Sequence, residues 1–225
     1  MPTANGVEED VLALIRSGDV QDAVVDLAEA GIDQLLKDGF LRDVPILGSV
    51  MGVIRATGSV RDLLLAKKLG RFLLALQSVP LDERERFHDS LGSRAEARRV
   101  GEALLLLLDR LDDMQKPELV ARLFRARIRG EIDGTTFQQM ATAVDRLLIA
   151  HLPPLVSFYS GATEGPPGTP VDRDLFQALS FAGLVRVEAR GDGGGMFSAE
   201  FAGAVIHYVR NELGEKFVKI ITRDA

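Results

Sequence analysis

The sequence predicts a mainly α-helical chain, a multi-helix bundle followed by a small α+β unit, and three observations carry that prediction. Apolar residues recur at threes and fours through the first 150 residues, as one face of a helix requires. Glycine and proline then interrupt the pattern between Pro153 and Pro170. Beyond the interruption the chain changes to short apolar runs around a glycine-rich GDGGG turn, the signature of a hairpin. These shifts set the expected organisation: a helical domain over 1–152, a linker over 153–170 and an α+β unit over 171–225.

Each element follows from local pattern. Between Glu8 and Lys37, Val11, Leu12, Ile15, Val24, Leu27, Ile32 and Leu35 take helical spacing, giving two helices joined near Ser17-Gly18-Asp19. Gly39 and Pro45 stop that pattern. Val60, Leu63, Leu69, Phe72, Leu73 and Leu76 predict a long apolar helix that ends before Pro80. A short charged helix over Asp82–Leu91 and a leucine-rich helix over Arg94–Leu111 follow, with the run Leu104–Leu108 expected in the core. Pro117 opens the next helix and Gly130 closes it. Thr135 and Gln138 stand in capping-box spacing ahead of a helix expected to run to about His151. After the linker, Asp172 is the expected cap of a helix through Leu179. GLVRVEAR is expected as a strand, GDGGG as a turn, and MFSAEFAGAVIHYV as a short strand and closing helix.

Composition bounds the chemistry. The 225 residues are 46% hydrophobic and 27% charged, enough apolar material for a substantial core, with a formal net charge of -6. Zero cysteines exclude disulfides, thiolate catalysis and cysteine-ligated zinc, and suit a reducing compartment, so a cytoplasmic location is expected. Acids near the N-terminus, Glu8, Glu9 and Asp10, stand where a secretory signal carries basic residues. A pI near 5.2 argues against broad attraction to nucleic acid.

Within VPILGSVMGVIRATGSV, Val44 to Val60, the small residues Gly48, Gly52 and Ala56 recur every four positions. On a helix they form a stripe without large side chains, which another backbone can approach closely. At 1.5 Å per residue such a helix spans roughly 26 Å, short of the hydrocarbon core, and Arg55 and Pro45 worsen the fit. A packing or oligomer interface at Gly48, Gly52 and Ala56 is therefore favoured over a conditional membrane segment.

No catalytic, cofactor-binding or metal-binding residues are assigned. The histidines, His88, His151 and His207, stand in a charged helix, at a helix end and within AVIHYV, each with a structural reading that outweighs catalysis. GDGGG joins strands instead of feeding a helix N-terminus, so it is a hairpin tip and not a phosphate loop. IDGTTF lacks the alternating carboxylates of a calcium loop. Asp109, Asp112 and Asp113 lie beside Arg99 and Arg110, as at a solvated helix end. Arg122, Arg125 and Arg129 share one helix stripe and are candidate anion contacts, with Glu118, Glu131 and Asp133 available to pair with them.

LFQALSFAGLVRVEA, GDGGG and MFSAEFAGAVIHYV together resemble the second half of a winged helix: a helix, a first wing strand, a wing tip and a closing strand and helix. That segment carries seven Lys or Arg against eight Asp or Glu from Val171 to Ala225, a balance that disfavours DNA. In the order of its segments, with DVPILGSVMGVI, Gly183-Leu184-Val185, Phe197 and Gly203, the chain resembles uncharacterised bacterial helical proteins akin to the abortive-infection alpha group. The resemblance implies a part in phage defence and transfers no catalytic residue. The expected function is thus a non-enzymatic interaction protein that self-associates or binds a protein partner, needing no cofactor. The alternatives are a DNA-binding regulator using the winged-helix-like unit and a conditional membrane-acting effector.

Overall fold

The structure, a computed structural model, describes residues 7–16, 60–161, 170–190 and 205–223. The Gly48, Gly52 and Ala56 stripe, the second predicted helix before Lys37 and the GDGGG turn lie outside these residues. Close contacts divide the chain into two compact units, Met1–Gly134 and Thr135–Ala225.

The first unit is all helical among its described residues. Helix α1 (Val7–Arg16) packs against α4 (Arg94–Arg110) and α3 (Leu81–Ser90), while α2 (Val60–Leu76) packs against α5 (Lys116–Ile128) and α4. Apolar spacing dictates which faces meet: Val11, Leu12 and Ile15 of α1, Leu69, Phe72 and Leu76 of α2, and Leu123 and Phe124 of α5 are all buried. Phe124 is the centre of an aromatic cluster, its ring 5.8 Å from Phe72 and 5.4 Å edge-on from Phe87. Five successive leucines cannot all face one side of a helix. Leu104, Leu107 and Leu108 enter the core and Leu106 is 60% exposed, so the predicted core run is only partly interior. Ser93 caps α4, its Oγ accepting from the Glu96 amide at 3.1 Å. Arg84 fastens the end of α1 by donating to the Ile15 carbonyl at 3.0 Å, and burial lowers its pKa.

Among its described residues the second unit contains three α-helices, a two-stranded ribbon and a last helix. Helix α6 (Gly134–Arg146) begins at the division; α7 (Leu152–Ser160) and α8 (Pro170–Phe181) follow, then β1 (Val185–Arg190), β2 (Val205–Arg210) and α9 (Glu212–Ile221). The strands pair antiparallel with Val187 opposite Tyr208 and Glu188 opposite His207. Three helices, two antiparallel strands and a helix occur in the order of a winged helix, and that order begins at α6, well before Val171.

Five local expectations are corrected. Pro153 and Pro154 open α7 instead of breaking the chain, because the first turn of a helix has no partner for the amides that proline lacks. His151 precedes α7 in a short 3₁₀ turn, Ile149–His151, and so does not end a helix. Thr135 and Asp172 both lie within helices that start earlier, at Gly134 and Pro170, so neither is the cap. VIHYV is strand, not helix: β-branched and aromatic residues fit a pleated surface, and the closing helix waits for Asn211, which caps α9.

Candidate interaction surface

The two units are held internally by different chemistry. In the first, cations of α2 grip the C-terminal end of α4 and the turn beyond it. Arg61 pairs with Asp109, its Nε 3.2 Å from Oδ1. Lys68 Nζ donates to the Asp109 carbonyl at 3.0 Å, and Arg71 Nη1 donates to the Met114 carbonyl at 2.9 Å. Lys116, only 1% exposed, reaches Asp112 at 2.5 Å. These contacts complement the negative end of the α4 dipole. The Arg61 guanidinium holds the Asp109 carboxyl below its usual range, the Lys116 hydrogen bond does the same for Asp112, and burial pushes Lys68 down.

In the second unit uncharged groups hold the start of α9, while Arg210 Nε beside them donates to the Phe158 carbonyl at 3.0 Å. The Tyr159 hydroxyl on α7 donates to the Leu184 carbonyl at 2.6 Å and accepts from the Asn211 amide at 3.0 Å. Asn211 donates through Nδ2 to the Gly183 carbonyl at 3.0 Å and accepts from the Gly214 amide at 2.7 Å. α9 therefore starts against α7 and β1, and the approach is so close that a Cβ on Gly214 would lie 2.1 Å from both the Leu184 carbonyl oxygen and the Tyr159 hydroxyl. Burial raises the Tyr159 pKa.

The arginine stripe on α5 is brought against α3 and the turn that precedes it in the first unit. Arg125 Nη1 donates to Ser78 Oγ at 3.2 Å, and Arg129 Nε donates to Glu83 Oε2 at 2.9 Å. Arg122 is half-buried on the same face and also has an interaction partner. Arg127, beside the stripe, lies over the rings of Phe87 and Phe124 at 5.5 and 5.9 Å, where burial lowers its pKa. The histidines occupy three separate elements: His88 Nδ1 lies 3.4 Å from Asp89, His151 has a buried Nδ1 without a hydrogen-bond partner, and His207 faces Glu188 across the ribbon. Among the described residues, no group of three or more His, Asp or Glu side chains is placed to hold a metal. No helix among them is long and apolar enough to cross a membrane.

Outward-facing groups concentrate attention on α8. Its inner side supplies Phe176 and Leu179 to the core; Phe176 meets Phe158 at 4.9 Å and Tyr208 at 5.5 Å. Its outer side presents Arg173, Asp174, Gln177 and Phe181. Arg146 Nη1 donates to the Phe181 carbonyl at 3.1 Å, which satisfies the helix end while the Phe181 ring stays 71% exposed. Sequence reasoning passed over this ridge, although its i, i+4, i+8 spacing was visible once the inner positions Phe176 and Leu179 were assigned to the core.

No protein-family model, curated protein or solved structure matches the chain.

Proposed function

We propose that the chain is a non-enzymatic, cytoplasmic interaction protein whose second unit works through protein contacts, self-association among them. The observation that carries this reading is the outer face of α8. In a winged helix that reads DNA, the helix before the wing enters the major groove, and phosphate contacts around it demand cations. Here that face offers one Arg and one Asp, a neutral amide and a highly exposed phenyl ring. Fold alone assigns no function, so the support for this reading comes from the chemistry of that face. A place in phage defence follows from the family resemblance alone and rests on this same interaction reading.

Retention of the full chain on duplex DNA across a salt series tests the proposal. Weak retention at low salt and none near physiological salt is expected. Tight binding that falls steeply as salt rises is the mark of phosphate neutralisation and would replace this reading with a DNA-binding regulator.

A further inference from the structure

Helix α1 is 10 residues long, shorter than a helix that persists alone in water, so its shape depends on what it rests against. It rests on α4 and α3. Val11, Leu12 and Ile15, spaced to face one side, are each at most 3% exposed, and the Arg84 guanidinium closes the C-terminal end on the Ile15 carbonyl. Apolar anchors on one side and a cation on the helix end are the parts of a helix laid in a groove. The rest of the first unit has a cluster to which α1 adds no ring: Phe72 of α2, Phe87 of α3 and Phe124 of α5 pack on one another. Residues 17–59 stand between α1 and α2, so no described helix adjoins α1 in sequence. Holding Arg84 in place also opposes docking, because burial disfavours its charge and opening restores its water.

We propose that the seam between α3 and α4 is a helix-docking site and that α1 is its tethered occupant, which leaves and returns while α2–α5 stay folded. The proposal concerns the first unit and stands whether or not the reading of α8 holds. The seam takes an amphipathic helix with aliphatic residues at i, i+1 and i+4, as Val11, Leu12 and Ile15 are placed, and a terminal carbonyl for Arg84. That requirement defines the kind of partner that competes for it: a helix carrying the same positions, which enters by displacing α1.

Native-state hydrogen exchange of the full chain tests the proposal without mutation. Amides of α1 are expected to exchange through a local opening, at least about tenfold faster than the slowest amides of α2 and α5 and with little response to low denaturant. Arg84→Ala removes the charged donor at the helix end and is expected to speed exchange in α1 about tenfold while leaving α5 unchanged. A second measurement uses a labelled peptide of residues 1–16 as the probe. It is added to the wild-type chain and to Val11→Asp/Leu12→Asp, whose own α1 no longer fits the seam. Fluorescence anisotropy is expected to show binding to the variant at least about tenfold tighter than to wild type, abolished when the peptide carries the same two substitutions. Exchange of α1 in step with α2 and α5 at every denaturant concentration overturns the proposal, since α1 is then an inseparable part of the core. So does a variant that loses the helical signal of α2–α5, or one that binds the peptide no better than wild type.

Discussion

The two units differ in chemistry at one joint each, the end of α4 in the first and the start of α9 in the second, although Arg146 and Arg210 also bind helix carbonyls in the second. The first sets Arg61, Lys68 and Lys116 against Asp109, Asp112 and the carbonyl end of α4. The second sets one phenol and one carboxamide, Tyr159 and Asn211, against backbone groups of Leu184, Gly183 and Gly214. The difference teaches that the two should fail at opposite ends of the pH scale. It can also be observed separately, because both tyrosines, Tyr159 and Tyr208, lie in the second unit and the chain has no tryptophan. Tyrosine fluorescence therefore reports on one unit alone, while helical circular dichroism reports on both.

The largest expected effect is Gly214→Ala. The added methyl would meet a backbone oxygen at 2.1 Å, and with β1 fixed by its partner strand the start of α9 must move. Destabilisation of the second unit by at least about 3 kcal/mol is expected, at the upper end of overpacking costs. Denaturant unfolding followed by tyrosine fluorescence measures it, and an unchanged midpoint would show that the joint is looser than described.

Matched substitutions at the two joints come next. Asp112→Asn removes a charged acceptor of the buried Lys116, with an expected cost of about 1 kcal/mol, discounted because Asp112 is 62% exposed, and confined to the first unit. Tyr159→Phe leaves the Leu184 carbonyl without its short hydrogen bond, at about 1–3 kcal/mol confined to the second. Amide hydrogen exchange resolved by peptide separates these effects. Loss of protection spread equally over both units in either variant would break the comparison.

Changing pH acts without mutation. Asp109 and Asp112 have native pKa values held below 3.8, so their stabilisation is complete above that value and is lost as pH falls through the lowered native values. Tyr159 is raised above 10.0, so its contribution is complete below 10.0 and is lost as pH rises through the native value. Lys68 is lowered from 10.5, and its buried charge costs the first unit less as pH climbs towards 10.5. Acid is thus expected to reduce helical signal before tyrosine signal, and alkali to disturb the second unit first. Simultaneous loss in both directions would contradict the assignment. The smallest effect is expected from Arg61→Ala: that cation is 78% exposed, and solvent screens the pair it forms.

Much of the first unit was legible because its helices are bounded by strong local signals, Pro80, Pro117 and Gly130, and carry regular apolar faces. The cap of α4, the Ser93 hydroxyl accepting from the Glu96 amide, was not among the sequence expectations. The second unit was less legible for physical reasons. Pro153 and Pro154 are compatible with both a break and a first helical turn, and only packing of Leu155 and Phe158 chooses the turn. Val205–Arg210 is short enough to suit either period, and pairing with β1 fixes it as strand. Tyr159 and Asn211 meet across 52 residues, a contact that no local pattern encodes. The Arg122, Arg125 and Arg129 stripe was visible from spacing, but the contacts to Ser78 and Glu83 depend on how α5 packs. On α8 the outer ridge became readable only after the inner face was known.

Peptide-resolved hydrogen exchange on the full chain, at dilute and concentrated protein and with or without duplex DNA, tests the central claim most directly. Protection of the peptide covering Arg173–Phe181 that grows with protein concentration and ignores DNA is the result expected of a protein-contact surface. Protection of that peptide and β1 on adding DNA, with no dependence on protein concentration, would contradict it.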